Sequence, residues 1–364
     1  MSLQQANNVR NVNSSLVNIE TLHKKLNSRF NLMFTISVAF LFISVIVAAS
    51  VGSIGLSFTE VLNSIFICGK EAKNCDVSPI SNQILWEIRL PRITMAFLTG
   101  AGLSITGAIL QSVTRNPLAD PYLFGISSGA SLGAVIAMSA VSTAIISITS
   151  GALIGAAFSV VLMLVLAGRA AVQVEKLLLS GVAVSFMLSA FTSLILYYSS
   201  PETAATLLFW LMGSFSGTNW EDLPLPFITL SLGTILFFVY RRWLVVIQAG
   251  EESAHSLGIP VNQLRLIMLI VCSTITGVLV AQVGGIGFVG LMIPHICRYI
   301  VGAQVHRVLI MSLTIGGSFM IWVDIVANSL LENQVLPVGI VTSALGSLFF
   351  FVILKRRTRY QVGK

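Results

Sequence analysis

The chain has 364 residues, 55% of them hydrophobic and 10% charged, and its 21 Lys and Arg against 14 Asp and Glu give a formal net charge of +7. Soluble domains carry about 25% charged residues, and one soluble core cannot hide this much apolar surface. With a mean hydropathy of +0.90, the composition excludes a water-soluble globular protein and implies an all-α polytopic integral membrane protein. The positive balance does not point to nucleic acid, because the basic residues are scattered among short loops rather than gathered on one face. Retention of Lys and Arg on the cytoplasmic side of a bilayer accounts for them.

Residues 1–32 form a polar arm with Asn, Ser, Lys and Arg, without the apolar core of a cleavable signal peptide. A bilayer core about 30 Å thick takes about 20 apolar residues per helix. Charge-free runs follow at 33–56, 93–112, 121–168, 177–200, 223–240, 266–294, 308–323 and 333–354. The run 121–168 is long enough for two spans, turning at "SAVSTAIISITSG", and the run from 266 to Arg298 divides at "VGGIG". The expectation is ten transmembrane helices in one domain, 33–355, followed by a basic tail, 356–364. The stretch 203–220, "TAATLLFWLMGSFSGTNW", is uncharged and nearly long enough to span, but its Gly, Ser and Trp content suits a helix at the interface. Charge decides between the two. With ten spans and both termini cytoplasmic, 17 of the 21 Lys and Arg fall inside, leaving Lys70, Lys73, Arg89 and Arg92 outside. An eleventh span would reverse every later loop and erase that asymmetry.

Motifs fall along this frame in order. Cys68 and Cys75 flank the external loop "CGKEAKNC", and a disulfide between them is expected if that side is oxidising. Cys272 and Cys297 sit in apolar runs as packing residues. "SITGAILQ" at 104–111 recurs loosely as "TITGVLVAQ" at 274–282, in helices that run in opposite directions, the arrangement of an inverted repeat. The cytoplasmic loop "TRNPLADPYLFG", 114–125, is closed to helix by Pro117 and Pro121, with Asn116 and Asp120 placed to cap the backbone. The "GISSGAS" that follows would let helices approach closely. In the loop "RRWLVVIQAGEESAHSLGIPVNQLR", Glu251 to Ala254 sit on a short helix that Gly258 ends. No phosphate-binding G-x-x-x-x-G-K-[ST] occurs, so ATP chemistry, if any drives this chain, belongs to another polypeptide. Asp324 is the one acid placed within a span, a proton-relay candidate or a hydrogen-bonded structural group. His295 reads as a helix-start residue, and no clustered ligands call for a metal.

Taken together, "RLPR" at 89–92, "GAILQSVTRNPLADPYLFGISSGASLGA", "WLMGSFSGTNW", "EESAHSLGI", "GGIGFVGLMIPHICR" and "LPVGIVTSALGSLFF" resemble the FecCD-type permeases of iron-chelate and cobalamin ABC importers, over roughly residues 85 to 355. The resemblance implies a BtuC-like fold of ten helices, two permease subunits side by side, two ABC ATPase subunits below and an extracytoplasmic substrate-binding protein above. It assigns ATPase coupling to Glu251, Glu252, Ala254, Leu257 and Gly258, and the cytoplasmic gate to Asn116 and Leu118. It assigns binding-protein docking to Arg89 and Arg92, whose plain role would be to anchor a helix end at the headgroups. Where many relatives carry a further external arginine, this chain has Asn328. Gln111 and Gln282 are candidates for the translocation path, within a wide, mostly uncharged lining of Ser, Thr and Gly that tolerates large substrates. No cofactor is implied. The expected function is the permease of an ATP-driven importer for a ferric siderophore in a bacterial inner membrane, with cobalamin or haem as alternative cargo. An ion-coupled secondary transporter is the rival, and Asp324 alone supports it thinly.

Overall fold

The computed structural model describes residues 3–52, 55–70, 77–140, 147–168, 173–331 and 334–362; Lys73, Cys75 and Arg169 lie outside them. All regular elements of the described residues are helical. Helix α1 (Leu3–Ser50) runs unbroken through residue 32, so the arm and the first apolar run share one helix. Short helices α2 (Phe58–Asn63) and α3 (Pro79–Gln83) lead through π-helical turns toward α4 (Leu90–Val113). Ser57 and Glu60 close a reciprocal capping box at the start of α2. After α4 come α5 (Ile126–Ala140), α6 (Ile148–Ala167), α7 (Val174–Tyr198), α8 (Pro201–Leu211) and α9 (Pro224–Val239). The chain continues through α10 (Arg241–Ala249), α11 (Glu251–Ser256), α12 (Val261–Val283), α13 (Val289–Val301), α14 (Val305–Ser329) and α15 (Val338–Val362).

Seven helices of the described residues are long and apolar enough to cross a membrane: Lys25–Ser50, Pro79–Val113, Ile148–Ala167, Val174–Tyr198, Trp220–Val239, Val261–Val283 and Val305–Ser329. The other three expected spans occur as shorter apolar helices, Ile126–Ser139, Val289–Val301 and Val338–Ile353. Within the stretch 203–220 the α-helix ends at Leu211, as part of the eleven-residue α8 that a Ser200 cap and Pro201 start.

Helix α4 is the centre of the bundle. Its residues from Leu98 to Val113 are all buried, as a helix apolar all round should be. It can be enclosed because its small residues admit neighbouring backbones: a Cβ on Gly100 would strike the Gly316 carbonyl of α14, and one on Gly107 would strike Gly290 of α13. Helices α5 and α6 use the same device, Gly129 facing Gly155 and Gly133 facing Gly151.

Two units of the bundle run in opposite directions. Helix α4 ends beside α10, where Gln248 donates to Ser112 Oγ at 2.8 Å; this is the Arg115 end. Helix α12 starts there, beside α11, and finishes where Gln282 meets Asp222, close to Trp220, whose indole donates to the Trp86 carbonyl at 2.7 Å; this is the Arg89 end. After each long helix the chain doubles back into the bundle. It turns through a left-handed residue, Gly125 at φ 78° or Phe288 at φ 69°, and starts a short helix, α5 or α13. Thirteen residues of α13 rise about 20 Å, less than the ~30 Å of a bilayer core. The two echoed stretches pack differently: Gly107 lies directly on the Gly290 backbone of α13, whereas Gly277 meets Ala156 of α6 first and Ile126, the first residue of α5, only at ordinary van der Waals distance.

Candidate gate, coupling turn and external arginines

The segment after α4 is a built loop. Arg115 turns it at φ 51°, a left-handed conformation uncommon for a residue with a side chain. Asn116 Oδ1 then accepts the Leu118 N–H at 2.9 Å and its carbonyl accepts the Ala119 N–H at 3.1 Å, an Asx-type turn. Asp120 Oδ1 accepts the Tyr122 N–H at 2.8 Å and so caps the short turn Pro121–Phe124. Both polar residues thus do the capping their positions suggested. Asp120 and Pro121 pack against Gly290, and the Tyr122 hydroxyl accepts the Ile286 N–H at 2.7 Å. That bond ties the turn before α5 directly to the segment before α13. Of the two expected gate residues, Asn116 builds the turn and Leu118, 57% exposed, is what the turn presents.

Gln111 is 3% exposed. Its Nε2 donates to the Gly290 carbonyl at 3.1 Å and its Oε1 accepts Arg298 Nη1 at 2.6 Å. Gln282, half-buried, donates to the Asp222 carbonyl at 3.4 Å at the opposite end of the bundle. The structure therefore does not bring the two glutamines together, and each is engaged by its own neighbours.

The five coupling residues divide by burial. Ala254 is fully buried, and its carbonyl accepts the Ile259 N–H at 3.0 Å. Gly258 holds φ +73°, ending the turn. Glu251 is ion-paired with Arg265 of α12, a side chain only 2% exposed. Glu252, Leu257 and Gly258 are exposed, Leu257 at 69%, and the Glu251 side chain is partly so. In the sequence Arg265 counts only as a cytoplasmic loop cation; its pairing with Glu251 is what the structure adds.

At the other end, Arg92 forks Asp324: Nε lies 3.1 and 2.9 Å from the two carboxylate oxygens and Nη2 lies 2.8 Å from Oδ1. The two side chains are 17% and 7% exposed. Such bidentate geometry is the strong form of the pair, and it places Asp324 in a structural contact between α4 and α14. Arg89, 8% exposed, donates to the Ala49 carbonyl of α1 at 2.5 Å. Both expected docking arginines are turned inward, along a cavity of about 550 Å³ that also carries Asn328 and Gln334. Cys68 is disulfide-bonded, while Cys272 and Cys297 are free and buried. No group of three His, Cys, Asp or Glu able to hold a metal occurs among the described residues.

Comparison with known proteins follows the same frame. The family model described as the FecCD transport family matches residues 40–356. The chain is 40% identical over 278 residues to the cobalamin import system permease BtuC of Halobacterium salinarum, covering 75% of this chain and 74% of that one. It is 31% identical over 335 residues to the Fe(3+)-citrate import system permease YfmD of Bacillus subtilis, covering 92% and 97%. Among solved structures, a metal-chelate type ABC transporter in an inward-facing conformation superposes with a TM-score of 0.78 at 28% identity, over 89% of this chain and 99% of that chain.

Proposed function

The chain belongs to the FecCD transport family, a family of ABC importer permeases, and from that premise we propose that it carries a ferric siderophore across a bacterial cytoplasmic membrane. The cargo arrives from an extracytoplasmic binding protein at the Arg89 end, passes between this chain and a second permease subunit, and leaves at the Arg115 end, where two ATPase subunits dock. Both termini and the Arg115 end are cytoplasmic, as the distribution of Lys and Arg supports, and the ten expected helices form the transmembrane domain. ATP hydrolysis is the partner's task; this chain converts the partner's movement into opening.

The observation that carries this reading is the hydrogen-bonded route from the coupling turn to the gate. Glu252 and Leu257 offer a polar and an apolar contact on the exposed side of α11. The fixed side of the same turn is pinned to α12 through Glu251 and Arg265. Helix α10, directly before it, is tied by Gln248 to Ser112, three residues ahead of Arg115. A displacement of α11 reaches α10 and the gate loop through Gly250, the single residue between the two helices, and Tyr122 hands it on to Ile286. Packed elements of this kind pass on discrete shifts rather than deforming continuously.

Radioactive iron uptake on several siderophores, in cells with and without the gene, tests the proposal. Loss for one chelate class, restored by the wild-type chain but not by Glu252→Arg, supports it. Unchanged uptake of every iron chelate with loss of cobalamin uptake would transfer the cargo to the second reading, which the 40% identity to a cobalamin import permease favours. Uptake that follows the proton gradient and survives ATPase inactivation would refute an ATP-driven importer.

A further inference from the structure

Behind the gate loop lies a cavity of about 540 Å³ lined by Gln111, Arg115, Gln248, His295, Arg298 and Tyr299, together with Pro117. Its size falls in the ~300–1,000 Å³ span of small-molecule sites. Two arginines and a histidine converge on it from two elements, and no acidic side chain lines it among the described residues. Among the described residues, the ion-paired carboxylates Glu87, Asp324 and Glu251 all lie elsewhere.

The site is also organised in advance. Gln111, itself enclosed, is oriented by the Gly290 carbonyl through Nε2 and so aims Oε1 at Arg298, which it holds at 2.6 Å. The backbone of Arg115 is set by the left-handed turn that opens the gate loop, and its side chain lies exposed at the rim of the cavity. Cations gathered in a concavity without an acid attract anions, and a guanidinium offers paired donors that match carboxylate and other oxyanion geometry. The amide of Gln248 and the hydroxyl of Tyr299 add neutral polar contacts suited to further oxygens.

We propose that this cavity is an exit-side binding site for a multiply charged oxyanionic cargo, a metal chelate whose periphery carries carboxylates or comparable anionic oxygens. The proposal rests on the permease reading above and narrows its substrate class. Because Arg115 and Pro117 flank Asn116, an occupant of the cavity touches the gate loop itself. Release of the cargo and reclosure of the loop are thereby linked through the same residues.

The test uses the full chain co-purified with its ATPase and reconstituted in phosphatidylcholine nanodiscs. Ferric citrate, inorganic phosphate and a neutral ferric trihydroxamate are the probes, titrated at constant ionic strength. Ferric citrate is expected to bind, the neutral chelate to bind far more weakly, and Arg115→Gln to weaken ferric citrate about tenfold, the loss of one charge-assisted contact. Arg298→Lys keeps the charge but loses the fork, and a several-fold loss there separates oriented recognition from bulk attraction. Equal affinity for phosphate and ferric citrate, binding of the neutral chelate at wild-type strength, or affinities unmoved by either substitution would overturn the inference. Displacement of ferric citrate by added phosphatidylglycerol, abolished by Arg115→Gln, would also overturn it by assigning the cavity to a lipid headgroup. Uptake in cells lacking the gene tests the permease reading separately, so loss of uptake beside an empty cavity would refute only the anion site.

Discussion

Glu251 and Glu252 are adjacent and carry the same charge, yet their removal should have opposite signatures. Glu251 faces Arg265, whose side chain is 2% exposed, while the glutamate itself is 43% exposed. A pair fully in water contributes about 0.2–1 kcal/mol, and breaking a fully buried pair by deleting one partner costs about 3–5 kcal/mol. With one partner enclosed and the other partly wet, Glu251→Ala should cost about 1–3 kcal/mol, between those limits. Glu252 is exposed, and Glu252→Ala should stay within about 0.5 kcal/mol of wild type, as surface changes do. Unfolding of the purified chain in one detergent, followed by tryptophan fluorescence, measures both. A double-mutant cycle of Glu251→Gln with Arg265→Met isolates the pair and should return about 1 kcal/mol or more of coupling. Transport reverses the order: Glu252→Arg should abolish uptake and leave ATP hydrolysis uncoupled, without loss of folded protein. If Glu251→Ala and Glu252→Ala unfold alike, Glu251 does not fasten the coupling turn and the route to the gate fails at its first step.

The remaining expectations rest on separate contacts. Asp324→Asn leaves Arg92 enclosed without its carboxylate and should cost about 3–5 kcal/mol, whereas replacing both partners by leucine should recover most of it; equal losses for the single and double variants would argue against an internal pair. Tyr122→Phe keeps the ring but strands the Ile286 N–H, about 1–3 kcal/mol, and should raise basal leak of cargo from loaded vesicles. Tight vesicles with this variant would mean that the segments before α5 and α13 are not latched at Tyr122. Gly107→Ala drives a methyl into the Gly290 backbone, which a flexible side chain cannot relieve, so folded yield should fall well below that of Gly55→Ala, where nothing lies within 4 Å. Comparable yields would contradict close contact of α4 with α13.

The sequence alone determined the solvent and the framework. Its apolar fraction demanded a bilayer, and its charge-free runs coincide with helices because each span must bond its own backbone in lipid. The break at "VGGIG" was legible from chain length and turn chemistry, as were the caps at Asn116 and Asp120, while residues 141–146 of "SAVSTAIISITSG" lie outside the described residues. The motifs that named the family also lay in the sequence, where their order and spacing were visible. Tertiary structure decided the partners. That Arg92 turns to Asp324, 232 residues away, or that Arg265 claims Glu251 rather than Glu252, depends on which helices touch, and helix contacts in lipid are set by glycine-sized surfaces rather than by hydropathy. The same holds for the basic cavity: Arg115 and Arg298 lie far apart in sequence, and only the doubling back of α13 toward the end of α4 sets them on one wall. Periodicity reports what a residue's own helix does, whereas a site is made where two helices meet.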